Sequence, residues 1–357
     1  MIDFRYHLVS IVAVFLALAI GIVIGASQLK PTTQSALDSL SNREEHQIDS
    51  ARAQDRALEK ELSSAQQFAQ ANAPELLAGR LSGQRAVVVT APGADSGVVT
   101  GVTTALTQAG AKVTGQVALQ SSFFTTSGQI ESRLDTLAER FAPAGFIPAD
   151  PPAQLASDSK IAAQLDAGAV ISAALVTSAS PVAAGQPAQD ISSLSATEAA
   201  AALNGFAQQG FLQLSPASGA TTLQQATLAV VVIPSSPPQD GDTDPANLAL
   251  IAFAYQLRTA SRGVVVAGSL TGSGPGSAID ELINGNTGVQ VSSVDDADFE
   301  QGQVIVVQAL SSLLAGQKAA AYGVGTGVVP APGPDPTPSP TPSPTPSKAS
   351  AKSKSGG

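Results

Sequence analysis

The sequence predicts an α/β protein: an N-terminal transmembrane helix, a helical coiled-coil-like stalk, an extracytoplasmic parallel-sheet α/β body and a disordered Pro/Thr/Ser tail. Three features carry that reading. Leu8 to Ala26 is apolar except for Ser10, and Ser35 to Asn72 is rich in Glu, Gln, Arg, Ala and Leu without Gly or Pro. From Arg85 onward, short solid valine runs alternate with stretches of helix-like periodicity, the pattern of strands buried on both faces. The expected divisions are a membrane anchor at 1–30, a stalk at 31–78, the body at 79–322 as one sheet or two halves, and the tail at 323–357.

The first segment, LVSIVAVFLALAIGIVIGA, is nineteen residues long. At ~1.5 Å per residue it spans roughly 28 Å, close to the hydrocarbon thickness of a bilayer. A cleaved secretory signal would have a shorter apolar region and a small-x-small site. Here the best candidate site ends at Ala26 with the bulky Ile24 two residues before it, and Asp3 offsets Arg5 in the leading MIDFRYH. An uncleaved signal anchor is therefore expected. Flanking charge nearly cancels, with Arg5 on one side and Lys30 and Arg43 on the other. Only seven residues precede the span, so the long C-terminal part is expected outside the cytoplasm. Gly21 and Gly25 form a GxxxG, a spacing that lets two spans approach.

The stalk shows a heptad seam. Leu37, Glu44, Ala51, Leu58 and Ala65 form one row, and Ser41, Ile48, Asp55, Leu62 and Ala69 the other. Seven of these ten are apolar, namely Leu37, Ile48, Ala51, Leu58, Leu62, Ala65 and Ala69. That suits self-pairing or a coiled-coil protein partner. Glu44, Asp55 and the three alanines among the seven weaken the seam, and a solvated helix packing on its own body fits equally well.

In the body, RAVVVT (Arg85–Thr90), VVTGVTTALTQ and KVTGQVAL (Lys112–Leu119) read as strand, helix and strand, the unit from which parallel sheets are built. Further helices are expected at Ser127 to Phe141 and Pro245 to Arg258, and further strands at Leu228 to Pro234 and Gly263. Ser195 and Glu198 form a capping box opening a helix through Gln209. Gly168 to Gln186 lacks charge, but its Ser, Thr and Pro content argues against a second span. The tail beyond Gly323 is polyproline-like and ends with Lys348, Lys352 and Lys354.

The chemistry available is narrow. The formal charge is −10 with no basic stripe in the body, which excludes nucleic acid as a partner. Zero cysteines exclude disulfides, thiolate catalysis and Cys-held metals. The two histidines, His7 and His46, lie outside the body, so no Ser-His-Asp triad is built there. Neither GSGPG at 272–276 nor GVGTG at 323–327 has phosphate-loop spacing. The loop APGADSG after the first strand sits where open α/β sheets bind ligands, which makes Asp95 and Ser96 a ligand-loop candidate. Asp240, Asp242 and Asp244 alternate as in a calcium loop, yet Pro245 and Ile251 occupy the required Gly and Glu positions. Asp295, Asp296, Asp298 and Glu300 precede a helix whose positive end favours carboxylates. No catalytic, cofactor or metal residue is assigned, and the chain reads as non-enzymatic.

The opening MIDFRYHLVSIVAVFLALAIGIVIGA, followed by the charged helix and RAVVVTAPGADSGVVTGVTTALTQAGAKVTG, resembles the actinobacterial copper-transporter (MctB-like) family from Met1 to about Gly316. Asp3, Phe4, Arg5, Tyr6 and His7 carry most of that specificity, because membrane insertion does not dictate them. The resemblance implies an envelope protein of copper efflux and homeostasis, described for the family as an outer-membrane pore, with copper as a partner and a companion in cell separation. From the residues themselves no barrel alternation is read, and with only Met1 as a soft donor no copper ligand is assigned. The other reading is an envelope scaffold acting through its coiled-coil stalk and body.

Overall fold

The computed structural model describes residues 4–143, 145–178, 194–236, 245–285 and 287–333, without the side chains of 4–5 and 26–45. The Asp240, Asp242 and Asp244 cluster, the tail from 334 with its three lysines, and the side chains of Leu37, Ser41 and Glu44 lie outside the described residues. The chain divides into two units, 1–67 and 68–357. The first is helical: α1 (Phe4–Leu77) runs through it without interruption and continues into the second. Its Tyr6–Gly25 stretch is long and apolar enough to cross a membrane, and its large side chains there are exposed.

Within the second unit, α1 ends by burying Ala73 and Leu77. The chain then forms β1 (Arg85–Thr90), α2 (Ser96–Gln108) and β2 (Lys112–Leu119), the predicted unit. Next come α3 (Gly128–Phe141), α4 (Ala153–Ala156), α5 (Ala162–Leu175) and α6 (Ala196–Gln208). The remaining elements are β3 (Leu212–Pro216), β4 (Leu228–Val232), α7 (Pro245–Ala260), β5 (Gly263–Ala267), α8 (Ala278–Ile283), β6 (Ser292–Val294), α9 (Glu300–Leu314) and β7 (Ala321–Tyr322).

Of the two arrangements expected for the body, the strands adopt a single sheet, in the order β3-β2-β1-β4-β5-β6-β7. All neighbours are parallel except β3, which pairs antiparallel with β2 at the edge. The valine runs explain this layering. Side chains alternate across a strand, so Val87 and Val89 of β1 join one apolar cluster while Ala86 and Val88 join the other. In β4, Ala229 and Val231 face the first cluster and Leu228, Val230 and Val232 the second. Helices α3, α5, α6 and α7 supply the first cluster, whereas α2, α9 and the end of α1 supply the second.

Helix α5 accounts for the described part of the charge-free stretch. It packs against α3, α6 and α7, and twelve of its residues are buried. An all-round apolar helix suits a protein core as well as a membrane, and here the core holds it. The capping box of α6 forms as read: Ser195 Oγ accepts from the Glu198 amide at 3.3 Å, and Glu198 Oε2 accepts from the Ser195 amide at 2.9 Å. These bonds hold the Glu198 carboxyl below its ordinary range. Hydrogen-bonded structure continues past Gly323, where the sequence reading begins the tail: the Gly323 amide donates to Val329 O, and the Val329 amide to Ala321 O.

Phe253 is wholly buried where α7 meets the edge of Phe123, ring centroids 6.1 Å apart. Phe253→Ala is expected to cost about 3–5 kcal/mol, read as a lower denaturant midpoint at unchanged slope.

Candidate functional site

The sheet reverses strand order beside β1, where β2 lies on one side and β4 on the other. In open α/β sheets the crevice outside the carboxyl ends of such strands is where ligands bind. In this protein the two loops that would border it are tied together. The Ala91 amide donates to Val232 O at 2.9 Å, the Ser235 amide to Gly93 O at 2.9 Å, and Ala94 bridges Pro234. Two hollows remain beside the seam. One, of about 260 Å³, is lined by Pro92, Phe124, Pro234 and Leu250, and the other, of about 360 Å³, by Ser96, Thr100, Gln116 and Gln120.

The structure brings Asp95 and Ser96 together at the start of α2. Asp95 is the N-cap: its Oδ1 accepts from the Gly97 amide at 2.6 Å and the Val98 amide at 3.2 Å. A carboxylate therefore already sits on the amides that an anionic ligand would use. The Thr100 hydroxyl donates to the Ser96 carbonyl at 2.7 Å, and Ser96 lines the larger hollow.

At the carboxyl end of β6, toward the other edge of the sheet, Asp295 and Asp298 of the acidic run are held by backbone amides. Asp295 is buried, and its two oxygens accept from the Val324 amide at 2.9 Å and the Gly325 amide at 2.8 Å. Gly323 has φ +132°, and a Cβ there would overlap Asp295 Oδ1, so only glycine lets the chain wrap this carboxylate. Asp298 Oδ1 accepts from the Leu270 amide at 3.1 Å, and Glu300 opens α9. Asp296 is buried with Oδ1 unpartnered, and burial, then the charge of Asp295, pushes its carboxyl up to about 6. Among the described residues no group of three or more His, Cys, Asp or Glu is arranged to hold a metal ion.

Sequence reasoning missed one acidic feature. Glu131, Asp135 and Glu139 stand on successive turns of α3 and, with Asp166 of α5, line a hollow of about 500 Å³ floored by Ala138 and Val170. Burial, then the charge of Asp135, raises the Asp166 carboxyl above its ordinary range. The i, i+4, i+8 acidic spacing on α3 was the available signal. What it lacked was Asp166, which only the packing of α3 on α5 brings near. Chemically the hollow favours a positive charge without enclosing it.

The seam residues stand on α1. Ile48, Ala51, Leu58, Leu62 and Ala65 are exposed on the first unit, Ala69 is half-buried on the second, and the Leu37 side chain is outside the described residues.

Comparison with known proteins places these features in a family. The family model described as "Copper transport outer membrane protein, MctB" matches residues 1–332. Relatives named copper transporter MctB from Mycobacterium bovis and Mycobacterium tuberculosis are 28% identical over 326 residues, covering 91% of this chain and 97% of their own. The Mycobacterium leprae relative of the same name is 28% identical over 327 residues with the same coverage. The resemblance read from the N-terminal string thus extends across helix and body alike.

Two outcomes follow from the acidic clamps. Because the Asp296 carboxyl is raised in the fold to about 6 from its ordinary 3.8, its contribution to stability is full below the ordinary value and is lost as pH rises through about 6. Asp296→Asn should remove that decline and stabilise the protein at pH 7 by roughly 1–3 kcal/mol, measured by denaturation at pH 4 and pH 7. Asp295→Ala should release the 323–329 segment, read as faster proteolysis there with the rest of the body intact.

Proposed function

The chain belongs to the MctB family of copper transport proteins, and from that premise we propose that it serves copper efflux and homeostasis as a membrane-anchored envelope protein with its body outside the cytoplasm. The observation that carries this reading is the family match over residues 1–332, which takes in the apolar helix and the body together. The apolar Tyr6–Gly25 stretch supports a retained signal anchor and a single crossing.

The donor set speaks to how copper would be handled. Cu(I) prefers thiolates and thioethers, and the whole chain has no Cys and one Met. The sheet, covered by helices on both faces, differs from an outer-membrane barrel, whose outer surface is an apolar band facing lipid. Both points support a copper role that is indirect and non-catalytic. A second reading, an envelope scaffold acting on cell-wall or cell-separation machinery, is favoured by the large apolar side chains exposed at Ile48, Leu58 and Leu62.

A deletion strain should become copper-sensitive and regain tolerance with the full-length gene, while the purified protein in planar lipid bilayers should show no conductance steps. Unchanged tolerance in the deletion strain would sink the copper reading. Conductance steps would sink the indirect role and favour a conduit.

A further inference from the structure

Between His46 and Gln67 the large apolar side chains of α1 are Ile48, Leu58 and Leu62. In a heptad frame with Ile48, Asp55 and Leu62 at a, and Ala51, Leu58 and Ala65 at d, all three fall on the two seam positions. The other five positions hold only Ala53 and Ala57 among apolar residues; the rest are charged, amide, hydroxyl or imidazole side chains. The three large side chains are 48%, 63% and 43% exposed. We propose that this stretch pairs, parallel and in register, with the same stretch of a second copy of the chain.

Three observations select that occupant. The seam and the apolar Tyr6–Gly25 stretch belong to one uninterrupted helix, so two copies held in one bilayer enter the seam from the same end and at the same height. That dictates a parallel pair in register. In that register the flanking g and e positions match without like-charge contacts: Gln47 meets Arg52 of the second copy, Gln54 meets Glu59, and Glu61 meets Gln66. Each such pair has a neutral member, so charge does not oppose the pairing. Finally, Ile48 at a with Leu58 at d is the combination that favours two strands over three or four.

Asp55 is the flaw in the seam, since two copies of its carboxylate face one another at an a position. A seam of this length with that flaw is weak in free solution, and confinement of both helices to one membrane raises their effective concentration enough to sustain it. The inference rests on the membrane-anchored reading and names the partner that a scaffold of this kind would first engage.

The absence of native cysteine makes the test direct. Single substitutions Leu58→Cys, Leu62→Cys and Ala65→Cys, with Arg56→Cys, Lys60→Cys and Ser63→Cys as controls, are made in the full chain and oxidised with diamide in intact membranes. Only the first three place identical positions within disulfide reach across a parallel pair, so their dimer bands should exceed the controls by ~5-fold or more. Asp55→Leu should strengthen the Leu58→Cys band several-fold, and Leu62→Asp should abolish it while the body stays protease-resistant. Uniform or absent cross-linking would overturn the proposal. So would cross-linking confined to mixed a-with-d pairs such as Ala51→Cys with Leu62→Cys, which is the antiparallel signature. Copper tolerance scored in the same strains separates the two readings: tolerance retained without cross-linking rejects self-pairing alone, whereas cross-linking in a strain whose deletion leaves tolerance unchanged rejects the copper role alone.

Discussion

Covering both faces of three valine-rich strands is the constraint from which the rest of the body follows. β1, β4 and β5 are buried almost end to end, and each strand sends alternate side chains to opposite sides. A parallel sheet of this kind needs crossover helices on both faces. On one face α5 is packed among α3, α6 and α7, so twelve of its residues are buried and only its first turns, at Ala162 and Asp166, reach solvent. On the other, α2 and α9 approach closely enough that a Cβ on Gly101 would overlap the Gln303 amide. The end of α1 completes that layer with Ala73 and Leu77. A body that devotes so many side chains to burial has few left for chemistry, which matches a chain only 13% charged.

The elements legible in the sequence were those whose own residues determine them. The apolar span, the β1-α2-β2 unit, β4, α7, β5 and the Ser195 to Glu198 box were readable because period, run length or cap chemistry lies within one short window. β3, β6 and β7 were not, and the reason differs for each. β3 is an antiparallel edge strand whose Gln213 and Ser215 point outward. β6 reads Ser-Ser-Val, a polar triplet buried only because β5 and β7 flank it. β7 is two residues long and owes its place to pairing with β6. For α5 the composition was plain, but periodicity cannot say whether an all-apolar helix is surrounded by protein or by lipid.

The candidate site was legible in position and not in chemistry. APGADSG does lie at the carboxyl end of β1 beside the strand-order reversal, as the strand-helix-strand pattern implies. That Asp95 turns inward onto the Gly97 and Val98 amides follows from its N-cap backbone geometry. That the neighbouring loop ties down Gly93 through Ser235 depends on residues 142 positions apart. Asp295 illustrates the same limit. Its run of carboxylates reads in the sequence as the start of a helix, whereas in the fold Asp295 is held by amides from 324 and 325, with Gly323 making room.

On the proposed reading, these facts bear on how a copper-family protein with no Cys and one Met can work. A carboxylate whose oxygens are filled by backbone amides, such as Asp295, offers little to a metal. The carboxylates around the α3 and α5 hollow are hard oxygen donors, a poor match for a soft ion. The chain has no thiol, and both histidines lie outside the body. On that reading a role in copper tolerance acts through what the protein positions in the envelope, and Ile48, Leu58 and Leu62 on the α1 seam are among the large apolar side chains left exposed for it.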